Sequence, residues 1–113
     1  IIHATEISNS IVGIRSRIGS GSKIVSCYIM GNDFYETLDQ MNSNTLRNIP
    51  KLGIGENCTL TNVIVDKDCR IGNNVHIKGG THHENSDQGF FAVKDGIVVI
   101  KKGAVVMDGF EFC

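Results

Sequence analysis

The sequence predicts an all-β fold, a left-handed parallel β-helix of hexapeptide repeats interrupted by two loop or short-helix insertions. Residues 7–24 align with residues 60–77 without a gap, and aliphatic residues recur in both stretches at steps of five, six and six. An Ile-Gly pair also recurs, beginning at Ile18, Ile54 and Ile71. A short, regular repeat of this kind is typical of solenoids, in which each turn covers the hydrophobic face of the next.

The regular segments predict the coils. Each turn of about 18 residues is expected to form three short parallel strands, with the aliphatic residue of each hexad directed at the axis. Ile29 continues the first series and Ile54 leads into the second. The glycine after each isoleucine is expected to turn the corner, because glycine tolerates left-handed dihedral angles. Asn57, Asn73 and Asn74 are expected to help, since asparagine tolerates them better than most residues.

The first insertion runs from residue 32 to residue 52. Phe34, Leu38 and Met41 are spaced for one face of a short helix. Pro50, the single proline of the chain, is expected to fix the return into the next turn.

The second insertion runs from residue 79 to about residue 94. It is polar, and we expect a flexible loop up to Gln88 and a return to strand from Gly89. The segment that follows predicts two more strands with a corner at Gly103.

The open end of the solenoid needs a cap, because the last turn has no neighbour to cover its edges. Phe110 and Phe112 are suited to this role.

Length and composition predict one globular domain over residues 1–113. The chain has 113 residues, of which 41% are hydrophobic, and a formal net charge of -1. This charge excludes a bulk electrostatic attraction to nucleic acid or to an anionic membrane, and no apolar run reaches the length of a membrane helix. Because the chain starts at Ile1 inside a repeat pattern, we expect it to be a fragment of a longer protein.

No residue set has a spacing specific for catalysis or for metal binding, so we predict neither a catalytic residue nor a metal site. The four cysteines, which form no CxxC pair, are expected to be reduced thiols: Cys27, Cys58, Cys69 and Cys113. His82, His83 and Glu84 could bind a metal in principle, but they have no partner of matching spacing.

Basic residues within the coils have two interpretations. They can simply keep the outer faces soluble, or they can stack across turns and bind an anion. Arg15 and Arg17 have the same repeat positions as Asp68 and Arg70. Stacked cations about 4.8 Å apart are unfavourable unless an anion lies between them, and a small phosphate-bearing ligand would fit.

Several motifs then identify a family resemblance, because they occur in order along nearly the whole chain. They are Met-Gly-Asn-Asp-Phe-Tyr-Glu-Thr at residues 30–37, Ile-Gly-Glu-Asn at 54–57, residues 65–75, and Gly-Ile-Val-Val-Ile-Lys-Lys at 96–102. This set resembles the C-terminal domain of ADP-glucose pyrophosphorylase (glucose-1-phosphate adenylyltransferase), of the plant type more than the bacterial type. Residues 10–17 resemble the large subunit of the plant enzyme.

The resemblance implies the function of the whole protein. Enzymes of this family are nucleotidyltransferases that make ADP-glucose and pyrophosphate from ATP and glucose 1-phosphate, for starch or glycogen synthesis. ATP and Mg²⁺ bind to a catalytic domain that this chain lacks, so we expect no cofactor here and no activity from the fragment alone. The resemblance implies a regulatory and assembly domain, with 3-phosphoglycerate and phosphate as effectors. It also implies homo- or hetero-oligomers formed through the sides of the β-helix, and a location in the plastid stroma or, alternatively, the bacterial cytoplasm.

The resemblance also transfers a set of anion-binding residues. The aspartate of the Met-Gly-x-Asp motif falls on Asp33, and the first activator lysine falls on Lys67. The second activator lysine falls on Lys102, with Lys101 as the neighbouring alternative. Two ammonium groups on outward positions can hold a phosphate or carboxylate group as point charges, which agrees with this assignment.

Two alternatives come from other functional classes. A hexapeptide-repeat acyltransferase would use a catalytic histidine between coils, for which His76 is the candidate within the repeats. Lys23 takes the aligned position in the first repeat, so an outward polar side chain is the simpler interpretation of His76. The other alternative is a structural interaction module without a ligand.

Overall fold

The computed structural model describes residues 6–13, 17–32, 43 and 52–113, and these residues form short strands in three sheets. The strands are β1 Glu6–Ser8, β2 Ile11–Val12, β3 Lys23–Val25, β4 Tyr28–Ile29, β5 Gly53–Ile54, β6 Thr59–Thr61, β7 Val63–Val65, β8 Arg70–Ile71, β9 His76–Lys78, β10 Ser86–Asp87, β11 Phe91–Lys94, β12 Ile97–Ile100, β13 Val105–Val106 and β14 Glu111–Phe112. The prediction of a parallel β-helix is confirmed, because strands of successive coils pair side by side and in parallel.

Each coil contributes one strand to each sheet in turn. Sheet I has the order β1-β3-β6-β9-β14, sheet II has the order β10-β11-β12-β7-β4-β2, and sheet III has the order β13-β8-β5. Lys23 pairs with Glu6, seventeen residues earlier, and His76 pairs with Thr59 at the same separation. The predicted steps of five, six and six residues are therefore the lengths of the three sides of one coil.

The core is a set of aliphatic columns along the axis. Ile18, Ile54, Ile71 and Val106 form one such column on sheet III, and each is at most 1% exposed. Burying an aliphatic side chain of this size contributes about 1.5–3 kcal/mol relative to exposure. Because every coil places an aliphatic side chain at this position, the columns are continuous along the axis. The aliphatic residues that recur in the sequence are therefore the residues that form the core.

The glycines after the isoleucines have a different role from the predicted one. Gly19, Gly55 and Gly72 are outside the left-handed region, and the left-handed residues of these corners lie two positions later, as at Asn57 and Asn74. A Cβ atom at Gly19 would lie 2.6 Å from the carbonyl carbon of Gly55, and one at Gly55 would lie 2.6 Å from that of Gly72. Glycine is therefore required because the next coil passes too close for a side chain.

The second insertion is more ordered than a flexible loop. Strand β11 runs antiparallel to β12, and β10 runs antiparallel to β11, so that both extend sheet II beyond the last coil. Asp95 (φ 52°) and Gly96 (φ 82°) form the two-residue connection between β11 and β12. An Asp-Gly pair with two positive φ angles has the twist that a tight hairpin requires. The prediction of a loop up to Gln88 was wrong for β10, and the returning strand begins at Phe91 rather than at Gly89.

Aromatic rings cover the C-terminal end of the solenoid, as predicted for Phe110 and Phe112. The ring of Phe91 is 5.8 Å from Phe110 and 4.9 Å from Phe112, in edge-to-face arrangements, and Phe90 joins the same cluster. His83 stacks on Phe112 with ring centroids 4.5 Å apart. Such pairs add about 0.5–1.5 kcal/mol each beyond area burial.

The predicted helix with Phe34, Leu38 and Met41, and the return at Pro50, lie outside the described residues. Within the described ranges, no helix is both long and apolar enough to cross a membrane.

Candidate functional site

The candidate anion site is a corner between sheets II and III, built from two adjacent coils. Val65 pairs with Ile100 before the corner, and Arg70 pairs with Val105 after it. Both corners have the same number of residues, so Lys67 and Lys102 occupy equivalent positions. Their backbones are one strand spacing, about 4.8 Å, apart.

Backbone hydrogen bonds hold the two corners in register. The N–H of Asp66 donates to the carbonyl oxygen of Ile100 at 3.0 Å, and the N–H of Gly103 donates to that of Lys67, also at 3.0 Å. Asp68 and Gly103 turn the chain with φ angles of 59° and 73°. Aspartate and glycine are residue types that adopt this left-handed conformation at low cost, so the local sequence favours these corners.

The turn before Lys67 has its own side-chain support. A carboxylate oxygen of Asp66 accepts a hydrogen bond from the N–H of Lys67 at 2.7 Å. Such local bonds are typical of aspartate in turns. The side chains of Lys67 and Lys102 are both exposed to solvent. Both side chains therefore lie on the outer surface of the same corner.

Lys101, the neighbouring alternative, has a different environment. Its Nζ atom lies 2.8 Å from Oδ1 of Asp87, in an ion pair whose side chains are 43% and 69% exposed, respectively. The hydrogen bond from Lys101, together with one from the N–H of Gly89, lowers the pKa of the Asp87 carboxyl. Lys101 stacks on the position of Asp66 rather than on that of Lys67. The geometry therefore brings Lys67 and Lys102 together and places Lys101 in a separate ion pair.

The arginines that the sequence was expected to stack across turns are not neighbours. Arg17 and Arg70 do share a column, but Gly53 of the intervening coil lies between them. The Nε atom of Arg17 donates to the carbonyl oxygen of Leu52 at 2.9 Å. The expectation of adjacent stacked arginines was wrong because the two aligned repeats are two coils apart. Asp33 and Arg15 lie outside the described residues, so their predicted positions stay predictions.

The remaining candidates lie elsewhere. His76 is half-buried on the outer side of β9, between Thr59 and Glu111 of the neighbouring coils. Nε2 of His83 lies 3.0 Å from the carbonyl oxygen of Lys78, to which it can donate a hydrogen bond, and the ring stacks on Phe112 in the aromatic cap. Among the described residues, no group of three or more potential ligands is placed to hold a metal ion.

The cysteines are unpaired, and three of them belong to the core. Burial raises the pKa of the Cys27 and Cys58 thiols and raises that of Cys69 to about 11. Cys113 is exposed. A buried thiol with a raised pKa is a poor nucleophile, because the thiolate is the reactive form. These thiols therefore serve packing.

Sheet II presents an apolar column on its outer side. Ile11, Tyr28, Ile64, Val99 and Ala92 are partners in consecutive strands. Ile11 is 61% and Tyr28 is 45% exposed, and the other three are half-buried. A contiguous apolar strip on a β-sheet is a typical contact surface for another protein.

The corresponding outer column of sheet I is mostly polar or charged. Its members are Glu6, Lys23, Thr59, His76 and Glu111. Sheet II is therefore the better candidate for a side surface that pairs with another chain.

A comparison with protein families agrees with this architecture. The family model of the GLGC left-handed parallel β-helix domain matches residues 1–110 of the 113. The match covers both insertions, the two-coil corner and most of the aromatic cap.

Proposed function

Because this chain belongs to the GLGC left-handed parallel β-helix family, a domain of glucose-1-phosphate adenylyltransferase, we propose that it is the regulatory and assembly domain of such an enzyme. The enzymes that contain this domain are nucleotidyltransferases. In the proposed enzyme, a separate domain converts ATP and glucose 1-phosphate to ADP-glucose and pyrophosphate with Mg²⁺, and this domain adjusts the rate. The motifs that resemble the plant type favour a large subunit in the plastid stroma.

The observation that carries the proposal is the pairing of Lys67 with Lys102 on adjacent coils. Two exposed cations at equivalent positions repel each other, and an anion between them removes that repulsion. Lysine ammonium groups act as point charges and suit a phosphate or carboxylate whose orientation varies. This chemistry fits 3-phosphoglycerate and inorganic phosphate, which would compete for one site. Lys102 rather than Lys101 is the proposed second contact, because the strand register puts Lys102 at the position equivalent to Lys67.

The assembly role is supported by the outer side of sheet II. The apolar column there crosses the parallel coils and continues onto the antiparallel hairpin, so it offers a flat strip to a second subunit. Subunit interfaces are typically apolar at their centre and polar at the rim. Asp66 and Lys101 lie at the next outer positions of this sheet and could form part of such a rim.

The test is charge reversal at Lys67 in the full-length enzyme. Lys67→Glu is expected to raise the concentration of 3-phosphoglycerate for half-maximal activation by about tenfold or more, since a charge-assisted contact contributes roughly 1.5–3 kcal/mol. Activity without effector should change little. Lys94→Glu is the matched control, because Lys94 is also exposed but lies at the hairpin end of β11. An unchanged activation curve in Lys67→Glu would contradict the proposal.

A further inference from the structure

The outer face of sheet II collects exposed apolar side chains. Of the seven large hydrophobic residues that are exposed in the described part of the chain, four lie on or directly beside its strands: Ile11, Tyr28, Met30 and Ile97. Half-buried Ile64 and Val99 join them at the middle of the face. A contiguous apolar face on a folded domain is a contact surface for another protein.

The shape of this face suits a second copy of itself. Its centre lies between β7 and β12, with three strands on either side. A twofold axis through this centre, parallel to the strands, places a second copy face to face with its coils in the opposite order. Ile64 then lies opposite Val99 of the second copy, and Tyr28 lies opposite Ala92. A large ring meets a small side chain, so the two faces can interdigitate as packed sheets do.

The charged residues beside the apolar column are self-complementary under the same axis. Asp66 and Lys101 are neighbours, at the outer positions that follow Val65 and Ile100. The axis sets Asp66 of each copy opposite Lys101 of the other, which gives two contacts between opposite charges in one dimer. Lys101 donates one hydrogen bond to Asp87, and an ammonium group carries three donors, so it can bridge both carboxylates.

Charge also selects between the two possible face-to-face arrangements. An axis along the solenoid would place each strand opposite its own copy, so that Asp87 on β10 would face Asp87. Like charges at facing positions oppose association. The antiparallel arrangement instead places Asp87 opposite Ile11 at the edge of the face, where solvent reaches the carboxylate.

We propose that the outer face of sheet II binds a second copy of this chain in the antiparallel twofold arrangement. The inference rests on the proposed assembly role and names the partner. Six strands about 4.8 Å apart make a face about 29 Å tall, and strands of three residues make it about 10 Å wide. Because a face of this size is at the small end of specific interfaces, we expect a dissociation constant on the order of tens of micromolar.

Exchange of the two charges tests the arrangement, with association of the full-length protein measured by sedimentation velocity over a concentration series. Asp66→Lys sets two ammonium groups against each other at both contacts, and Lys101→Glu sets two carboxylates against each other. Each variant alone should associate at least about tenfold more weakly than the unmodified protein. An equimolar mixture of the two variants should recover association, because every contact of the mixed pair again joins opposite charges. Mixing would not repair a folding defect.

A second substitution tests the apolar centre of the face. Ile64→Arg should remove association over the same concentration range, because it places a charge at the middle of the interface. Thr59→Arg is the matched control. Thr59 is also a half-buried outer residue, but it lies on sheet I, so its substitution should leave association unchanged.

The outcomes separate this inference from the proposed function. If Ile64→Arg prevents association but the charge variants associate normally, or their mixture stays weak, the antiparallel copy is wrong and the assembly role of sheet II stands. If the unmodified protein associates only with a different subunit, the second copy is the wrong partner. If Ile64→Arg associates like the unmodified protein, the inference and the assembly role proposed for sheet II both fail.

Discussion

Replacing Gly55 with alanine should be among the most damaging small substitutions in this domain. The added Cβ atom would lie 2.6 Å from the carbonyl carbon of Gly72 and closer still to its oxygen, whereas real Cβ contacts are essentially never under 3.0 Å. The backbone of one coil must therefore move by about half an ångström away from the next, and the bonds between these two corners are lost or stretched.

The magnitude follows from the bonds at that corner. The N–H of Gly55 donates to Ile71, the N–H of Asn74 donates to Glu56, and the N–H of Glu56 donates to Oδ1 of Asn73, each at 2.9 Å. A hydrogen bond contributes about 0.5–1.5 kcal/mol net, so weakening three of them costs roughly 3 kcal/mol. The expected result is a loss of about 3 kcal/mol in the free energy of unfolding, measured by urea titration with circular dichroism.

Gly103→Ala is the control that isolates the steric argument. Gly103 has a left-handed φ of 73°, but no heavy atom lies within 4 Å of the position of an added Cβ. Its substitution should cost only the strain of the left-handed conformation, about 1–2 kcal/mol. If Gly55→Ala destabilises the protein no more than Gly103→Ala does, the close approach of the coils is not what requires glycine at Gly55.

Three further predictions concern the core, the thiols and the ion pair. Val106→Ala should destabilise the protein by about 2 kcal/mol in a denaturant titration, whereas Val105→Ala, one residue earlier and 42% exposed, should cost under about 0.5 kcal/mol; equal losses would contradict the inward and outward assignment. A thiol reagent at pH 8 should label Cys113 alone in the native protein and all four cysteines in urea, and rapid native labelling of a second thiol would contradict the burial of the others. The lowered pKa of Asp87 means that its stabilising pair is complete above the ordinary carboxyl pKa of about 3.9 and is lost as the pH falls through the lowered value; the carboxyl ¹³C titration midpoint of Asp87 should rise towards the ordinary value in Lys101→Gln, where the hydrogen bond from Gly89 remains, and an unchanged midpoint in that variant would contradict the pair.

Much of the scaffold could be predicted because a solenoid repeats one local rule. The alignment of residues 7–24 with 60–77 placed Ile18 and Ile71 in one core column correctly. It could not show that a coil with a different sequence, carrying Gly53 and Ile54, lies between them. The first insertion separates Gly53 and Ile54 from β3 and β4, the two earlier strands of the same coil. The regular spacing of that coil is therefore interrupted in the sequence.

The site was predictable only in part, for a related reason. Adjacent lysines at 101 and 102 look alike in a sequence, and only the register of β12 on β7 assigns Lys102 to the position above Lys67. Asp87 was missed because its partner is fourteen residues away, across an antiparallel hairpin that the polar composition of residues 79–88 did not suggest. Contacts that depend on how an insertion folds back are not encoded in the repeat period.

The reversal of strand direction at Asp95 and Gly96 has a consequence for the length of the solenoid. Parallel coils can in principle add without limit, since each exposed edge is a template for the next chain. Here sheet II continues into β11, which runs opposite to the coils, and ends in β10, which has only two residues and offers too little backbone for another coil to extend. The hairpin thus acts as a stop on polymerisation, and a variant without it should be prone to growing filaments from this end.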